Sequence, residues 1–346
     1  MGGMIDLAIS NLISPVVLFF AMGLVIALIK AKVEFPNAIG DFITMYLLVA
    51  IGLKGGVAIA EAGILSVLPA IIGATVLGIF IPIYCFYILK GMGKFKADDA
   101  AALAGHYGSI SVVTFIAAAT FLTNQNIEYE AFMNGLPAIM EIPAIIVALV
   151  LASLAKGRSF KKASTVNSET GADKLDALSE KKSLPQVTKQ VVLSKSVILL
   201  LGAMIVGYIT GPSGMVQVEF FYKELFMGML SLFMLEMGIV AGSKIHELRK
   251  AGVFIVGFGI IIPCINAVLG IIVGGIAGLS IGGATLLGVL AASCSYIVAP
   301  AAMRVSLPKA NPAMYLGASL GVTLPFNLIF GIPIYYYLAT NIMRFF

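Results

Sequence analysis

The chain has 346 residues, 60% of them hydrophobic and only 11% charged, with a net charge of +5. Soluble domains carry about 25% charged residues, so this composition, with a mean hydropathy of +1.04, excludes a soluble enzyme or binding module and implies a polytopic membrane protein. The basic residues fall in short loops between apolar runs, so the positive balance is not a nucleic-acid signature.

The segment before the first apolar run carries Asp6 and no Lys or Arg. A cleaved signal peptide needs a basic start, so the first run is expected to stay in the protein. Runs long enough to cross ~30 Å of hydrocarbon are predicted in chain order near 12–30, 37–53, 63–90, 98–123 and 128–155. Five more follow near 194–211, 221–243, 251–278, 281–305 and 312–342. Between the two sets lies a polar stretch rich in Lys, Ser and Thr. It divides the chain into a first five-helix repeat (1–155), a linker (156–193) with a short helix expected near Asp173–Lys182, and a second repeat (194–346).

Placing the N-terminus outside puts every Lys and Arg except Lys54, Lys223 and Arg344 on the cytoplasmic side. The positive-inside rule therefore predicts both termini outside and the linker in the cytoplasm. It also supports ten spans, because one missed span would scramble the pattern.

The halves resemble each other. Glu130 to Pro143 lines up with Pro312 to Pro325, with Ala131/Ala313, Gly135/Gly317 and Pro143/Pro325 in register. Ile51-Gly52-Leu53-Lys54-Gly55-Gly56 in the second span corresponds to Met237-Gly238-Ile239-Val240-Ala241-Gly242 in the seventh. Five spans per repeat is an odd number, so the repeats must run in opposite senses. The expected fold is an all-α polytopic membrane protein of ten transmembrane helices, a five-plus-five inverted repeat with two broken helices, which is the frame of alternating access.

The broken helices are the fourth and ninth spans. Their interruptions read Gly105-His106-Tyr107-Gly108-Ser109-Ile110-Ser111 and Ser293-Cys294-Ser295-Tyr296-Ile297-Val298-Ala299-Pro300. Non-helical backbone survives at membrane depth only where protein buries it or it lines a wet cavity. A break exposes the orphan N–H groups of the following half-helix, which carry partial positive charge. Ser109, Ser111, Ser293 and Ser295 add hydroxyls, and Gly105 and Gly108 let backbone come close. Such a site suits a small anion. The competing explanation is close helix packing, for which Gly and Ser are also used.

Carboxylates within spans are costly and mark function. Glu141 and Glu236 are the candidates for a coupling cation or proton, against a purely structural hydrogen bond. His106 is more often structural when it stands alone. Asp98 and Asp99 read as helix N-terminal residues, and Lys54 as a base that snorkels to the outer interface. Cys85, Cys264 and Cys294 are too scattered for a redox or metal motif, and no nucleophile–base pair suggests an enzyme.

Several stretches resemble the cyanobacterial-type sodium-dependent bicarbonate transporter family and its bacterial relatives. They are Phe35-Pro36-Asn37-Ala38-Ile39 with Ile51-Gly52-Leu53-Lys54-Gly55-Gly56, then Ile127-Glu128-Tyr129-Glu130-Ala131-Phe132 and Met140-Glu141-Ile142-Pro143-Ala144. Glu247-Leu248-Arg249-Lys250, Leu290-Ala291-Ala292-Ser293-Cys294-Ser295 and Pro308-Lys309-Ala310-Asn311-Pro312 complete the set. Their order and spacing carry the likeness across nearly the whole membrane part.

The resemblance implies a transporter without a cofactor, a homotrimer in the inner membrane, and a moving core that carries bicarbonate with sodium. It also implies, for many members, a PII-like regulatory protein on the cytoplasmic side. Carried over by position, the substrate site falls on Gly105, Gly108, Ser109, Ser111, Ser293 and Ser295. Four departures stand out. Tyr296 replaces the family's Asp after the second pair of serines, Val298-Ala299-Pro300-Ala301 replaces the Ser-Gly-Pro-Pro-like run that follows, Val112-Val113 replaces a small polar pair, and Glu141 replaces an Asp. A hard cation wants several oxygens and usually a carboxylate, so Tyr296 is at best a neutral coupling-ion ligand. A proton-coupled permease for another small organic anion, and an anion channel, are the alternatives.

Overall fold

The computed structural model describes residues 13–31, 33, 36–155, 189, 193, 195–296 and 298–346. The helix expected near Asp173–Lys182, and nearly all of the linker, lie outside the described residues. The described chain is helical, without a strand. It forms α1 (Pro15–Leu28), α2 (Asn37–Ala62), α3 (Ile64–Gly91), α4 (Ala97–Gly108), α5 (Val112–Asn124) and α6 (Leu136–Ala155). The second half forms α7 (Lys195–Glu219), α8 (Phe226–Ile276), α9 (Ile281–Ala292), α10 (Val298–Ser306) and a final segment, α11 (Pro312–Phe345).

Among the described residues, seven helical stretches are long and apolar enough to cross a membrane, and Pro15–Leu28, Ile139–Ala155 and Ile281–Ala292 are shorter apolar helices. Large apolar side chains such as Leu65, Ile209 and Val253 stand fully outward, as lipid contact demands. The protein is thus a multi-pass membrane protein.

Some boundaries move from those expected. The fifth apolar stretch begins with a tight 3-10 turn, Ala131–Gly135, before α6. Helix α7 runs past its expected end by kinking at Gly211, where φ is +59°. That left-handed value is open to glycine at no steric cost. Helix α8 contains a second such kink at Gly252, φ +81°, which separates the stretches Phe226–Ser243 and Gly252–Ile276.

Two packed groups emerge. Helices α1, α2, α7 and the first part of α8 pack together, while α3, α4, α6, the second part of α8, α9 and α11 form the other. The first group is held by backbone-close contacts that only glycine permits. A Cβ on Gly238 would collide with the Phe20 carbonyl and come within 2.9 Å of Gly23 Cα and 3.0 Å of the Leu24 nitrogen. A Cβ on Gly52 would meet Leu200, Ala203 and Met204 in the same way. Phe20, Gly23 and Leu24 are spaced along the chain as Leu200, Ala203 and Met204 are, so the α1–α8 and α2–α7 crossings use equivalent positions. The second group repeats the pattern: a Cβ on Gly78 would meet Met140, and one on Gly259 would meet Val322.

Candidate functional site

Helix α4 is only twelve residues long, about 18 Å, roughly half a hydrocarbon core. It ends at Ser109, whose φ of −87° and ψ of −178° turn the chain extended. Helix α9, also twelve residues, ends at Ser293 with φ −85° and ψ 172°. The two breaks therefore open with the same extended backbone turn. In each, a serine two residues on accepts a bond from the first turn of the next helix. Ser111 Oγ accepts from the Thr114 N–H at 3.1 Å, and Ser295 Oγ accepts from the Ala299 N–H at 3.2 Å. These caps satisfy donors that lipid could not.

The breaks touch. The Ser295 N–H donates to the His106 carbonyl at 2.9 Å. The Ser111 N–H donates to Ser293 Oγ at 2.8 Å, while Ser293 Oγ donates to the Leu290 carbonyl at 2.8 Å. Ser111 Oγ donates to Tyr296 Oη at 3.3 Å. Ser109, Ser111, Ser293 and Ser295 are all buried. Two half-helix N-termini, α5 and α10, thus start from one crossing point.

Glu141 of α6 joins them and is 5% exposed. Ser295 Oγ donates to its Oε1 over a long 3.4 Å. The Ser109 hydroxyl lies beside the same carboxyl, but no partner is aligned with it among the described residues. A carboxyl, two serine hydroxyls and two positive helix ends are therefore within one small region. Such a set can hold an anion at the helix ends and a cation or proton at the carboxyl.

Other sequence candidates fall elsewhere or serve packing. A Cβ on Gly105 would run into Met303 and Ala148, and one on Gly108 into Pro82 at 2.5 Å. Their bare faces are thus already filled by neighbouring helices. His106 donates from Nδ1 to the Ala102 carbonyl at 2.6 Å, and its ring lies 4.5 Å from that of Tyr315. That leaves Nε2 as a buried acceptor with no partner among the described residues. Glu236 sits on α8 against α2, where a Cβ on Gly40 would strike its carboxyl; it is not brought to the breaks. Lys54 does not simply reach for the interface, since its Nζ lies 3.9 Å from the centre of the Phe226 ring. Asp98 and Asp99 lie in the first turn of α4 as expected, and Asp99 accepts from the Asn311 N–H at 2.8 Å.

Sequence reasoning missed the supports behind the breaks. Asn327 donates to the Ala292 carbonyl, the last of α9, at 2.9 Å, and Tyr335 donates to Asn327 Oδ1 at 2.7 Å. Thr323 donates to the Gly259 carbonyl at 2.8 Å, so the Tyr107 hydroxyl must donate to Thr323, 2.7 Å away. Thr323 stands in α11 where Glu141 stands in α6 by the alignment of the halves. Asn266 is fully buried with both amide atoms unpartnered among the described residues. The available signal was a polar residue inside an otherwise apolar span. A cavity of about 550 Å³ opens away from the breaks, between α2 and the C-terminal part of α7, lined by Leu53, Val206 and Tyr222 among others.

A sequence model of the Na+-dependent bicarbonate transporter superfamily matches residues 15–340. No curated protein matches the chain.

Proposed function

The chain belongs to the Na+-dependent bicarbonate transporter superfamily, and we propose that it takes up bicarbonate with sodium across the inner membrane by alternating access. The observation that carries this reading is the direct contact of the two breaks around Glu141. Bicarbonate binds where α5 and α10 begin, in the field of their main-chain N–H groups, with the uncommitted Ser109 hydroxyl as a donor and with Ser111, Ser293 and Ser295, whose protons are already given to neighbours, forming the wall around it. The coupling cation binds at Glu141. Gly105 and Gly108 belong to the site as the glycines that let α4 pack closely enough to bring Ser109 to it.

The inverted repeat is supported by the equivalent glycine crossings, Gly52 on α7 and Gly238 on α1, and by the matched serine caps. The group of α1, α2, α7 and early α8 is the scaffold, and the other group moves the site past it. Both termini face outside and the linker faces the cytoplasm, where a PII-like regulator would reach it. The family resemblance supports a homotrimer.

Movement of one sodium with one bicarbonate is electroneutral, so the driving force is the sodium gradient alone. A tenfold gradient supplies about 1.4 kcal/mol. The test is uptake of labelled bicarbonate into proteoliposomes with and without an inward sodium gradient. Accumulation that follows the gradient is expected, and gradient-independent uptake overturns the reading. A second reading, proton-coupled uptake of a small organic anion, is favoured by Tyr296 in the place of the family's Asp. Uptake driven by an inward proton gradient without sodium would select it, and non-saturable flux would select an anion channel.

A further inference from the structure

We infer that Tyr296 is a substrate-recognising hydrogen-bond donor, the end of a directed hydroxyl relay, and not a ligand of the coupling cation. The inference rests on the proposed anion site and specifies how that site grips its substrate. Thr114 Oγ1 donates to Ser111 Oγ at 3.0 Å. The Thr114 N–H donates to the same oxygen. A hydroxyl has two acceptor lone pairs and one proton, so both Ser111 acceptor positions are used. Its single proton goes to Tyr296 Oη.

Tyr296 Oη therefore receives a proton from Ser111 and keeps its own. Among the described residues that phenolic O–H has no acceptor. The relay Thr114–Ser111–Tyr296 points one way, and successive donors polarise one another and strengthen the last. Thr114 and Ser111 are buried at 1% and 3% exposure, whereas Tyr296 is only partly buried. The one free proton of the relay thus lies on its most accessible member, beside the N-terminus of α5.

This arrangement fits an oxyanion. An anionic oxygen accepts a charge-assisted bond from the phenol while lying in the positive field of the α5 terminus. A cation at the same oxygen would face that field and the Ser111 donor together. The family's Asp, an acceptor when ionised, could not supply this bond.

The test is uptake kinetics in proteoliposomes, with bicarbonate varied at fixed sodium and sodium varied at fixed bicarbonate. Tyr296→Phe keeps the ring and removes the donor, and KM for bicarbonate is expected to rise about tenfold or more. The sodium half-saturation stays unchanged. Thr114→Val, which removes the start of the relay without changing shape, raises the same KM by about two- to threefold. A side chain that merely filled space would move neither constant in this graded order. An unchanged or lowered bicarbonate KM in Tyr296→Phe, or a shift confined to the sodium constant, overturns the inference alone. A wild-type protein that takes up no bicarbonate overturns the proposed function, and the inference with it.

Discussion

The backbone N–H of Ser295 donates to the carbonyl oxygen of His106 at 2.9 Å, so the two interrupted helices are bonded main chain to main chain. This bond satisfies an N–H left over by one break with a carbonyl freed by the other. In a membrane interior each such group would otherwise cost several kcal/mol. The breaks therefore stabilise one another, and neither is viable alone.

The same logic predicts opposite effects for two neighbouring serines. Ser293→Ala strands the buried Ser111 N–H and removes the bond to Leu290, and should cost about 1–3 kcal/mol. Ser109→Ala removes a hydroxyl that has no aligned partner and should leave stability unchanged or improved. Thermal unfolding in detergent, followed for both variants, checks the contrast.

Glu141 is expected to be the coupling group. Glu141→Gln keeps the shape and removes the charge, so gradient-driven accumulation should fall by about tenfold or more, equivalent to at least ~1.4 kcal/mol. Exchange of bicarbonate at equal concentrations on both sides should persist, because the anion donors are intact. Loss of exchange along with accumulation would assign Glu141 to the anion instead. Glu141→Asp, which restores a carboxylate on a shorter stem, should recover part of the coupling.

Glu236 lies against Gly40 in the other helix group. Glu236→Gln should therefore leave the sodium dependence of uptake as in the wild type. A changed sodium half-saturation in this variant would place a second coupling site in the scaffold.

The glycine crossings give a stability prediction with an internal control. Gly52→Ala and Gly238→Ala each force a methyl group into a neighbouring backbone and should cost about 1–3 kcal/mol. The two costs should be similar, because the crossings use equivalent positions. Gly202 and Gly257 lie in helices with nothing near the missing Cβ, and alanine there should be neutral. Midpoints of detergent unfolding for the four variants decide the matter.

Much of the architecture was legible because membrane burial writes itself into composition. An apolar run of about twenty residues must become a helix, since no other segment satisfies its own backbone in lipid. The apolar helices accordingly lie where the runs do. The kink at Gly211 and the turn at Ala131–Gly135 shifted boundaries, because glycine conformation and local turn geometry leave no trace in hydropathy, whereas the kink at Gly252 falls where two spans were expected to meet.

By itself the sequence determined that two polar breaks interrupt apolar spans at matching places, and which residues they hold. The reason is that a broken helix needs small polar residues to satisfy its own ends. Only the tertiary structure decided what those residues meet. It brought Glu141 to Ser295 and left Glu236 against Gly40, although both are single acids in apolar helices. It filled the bare faces of Gly105 and Gly108 with Met303, Ala148 and Pro82. It also joined Thr114, Ser111 and Tyr296 into one directed chain, because hydrogen-bond partners far apart in sequence are set by helix packing and not by local pattern.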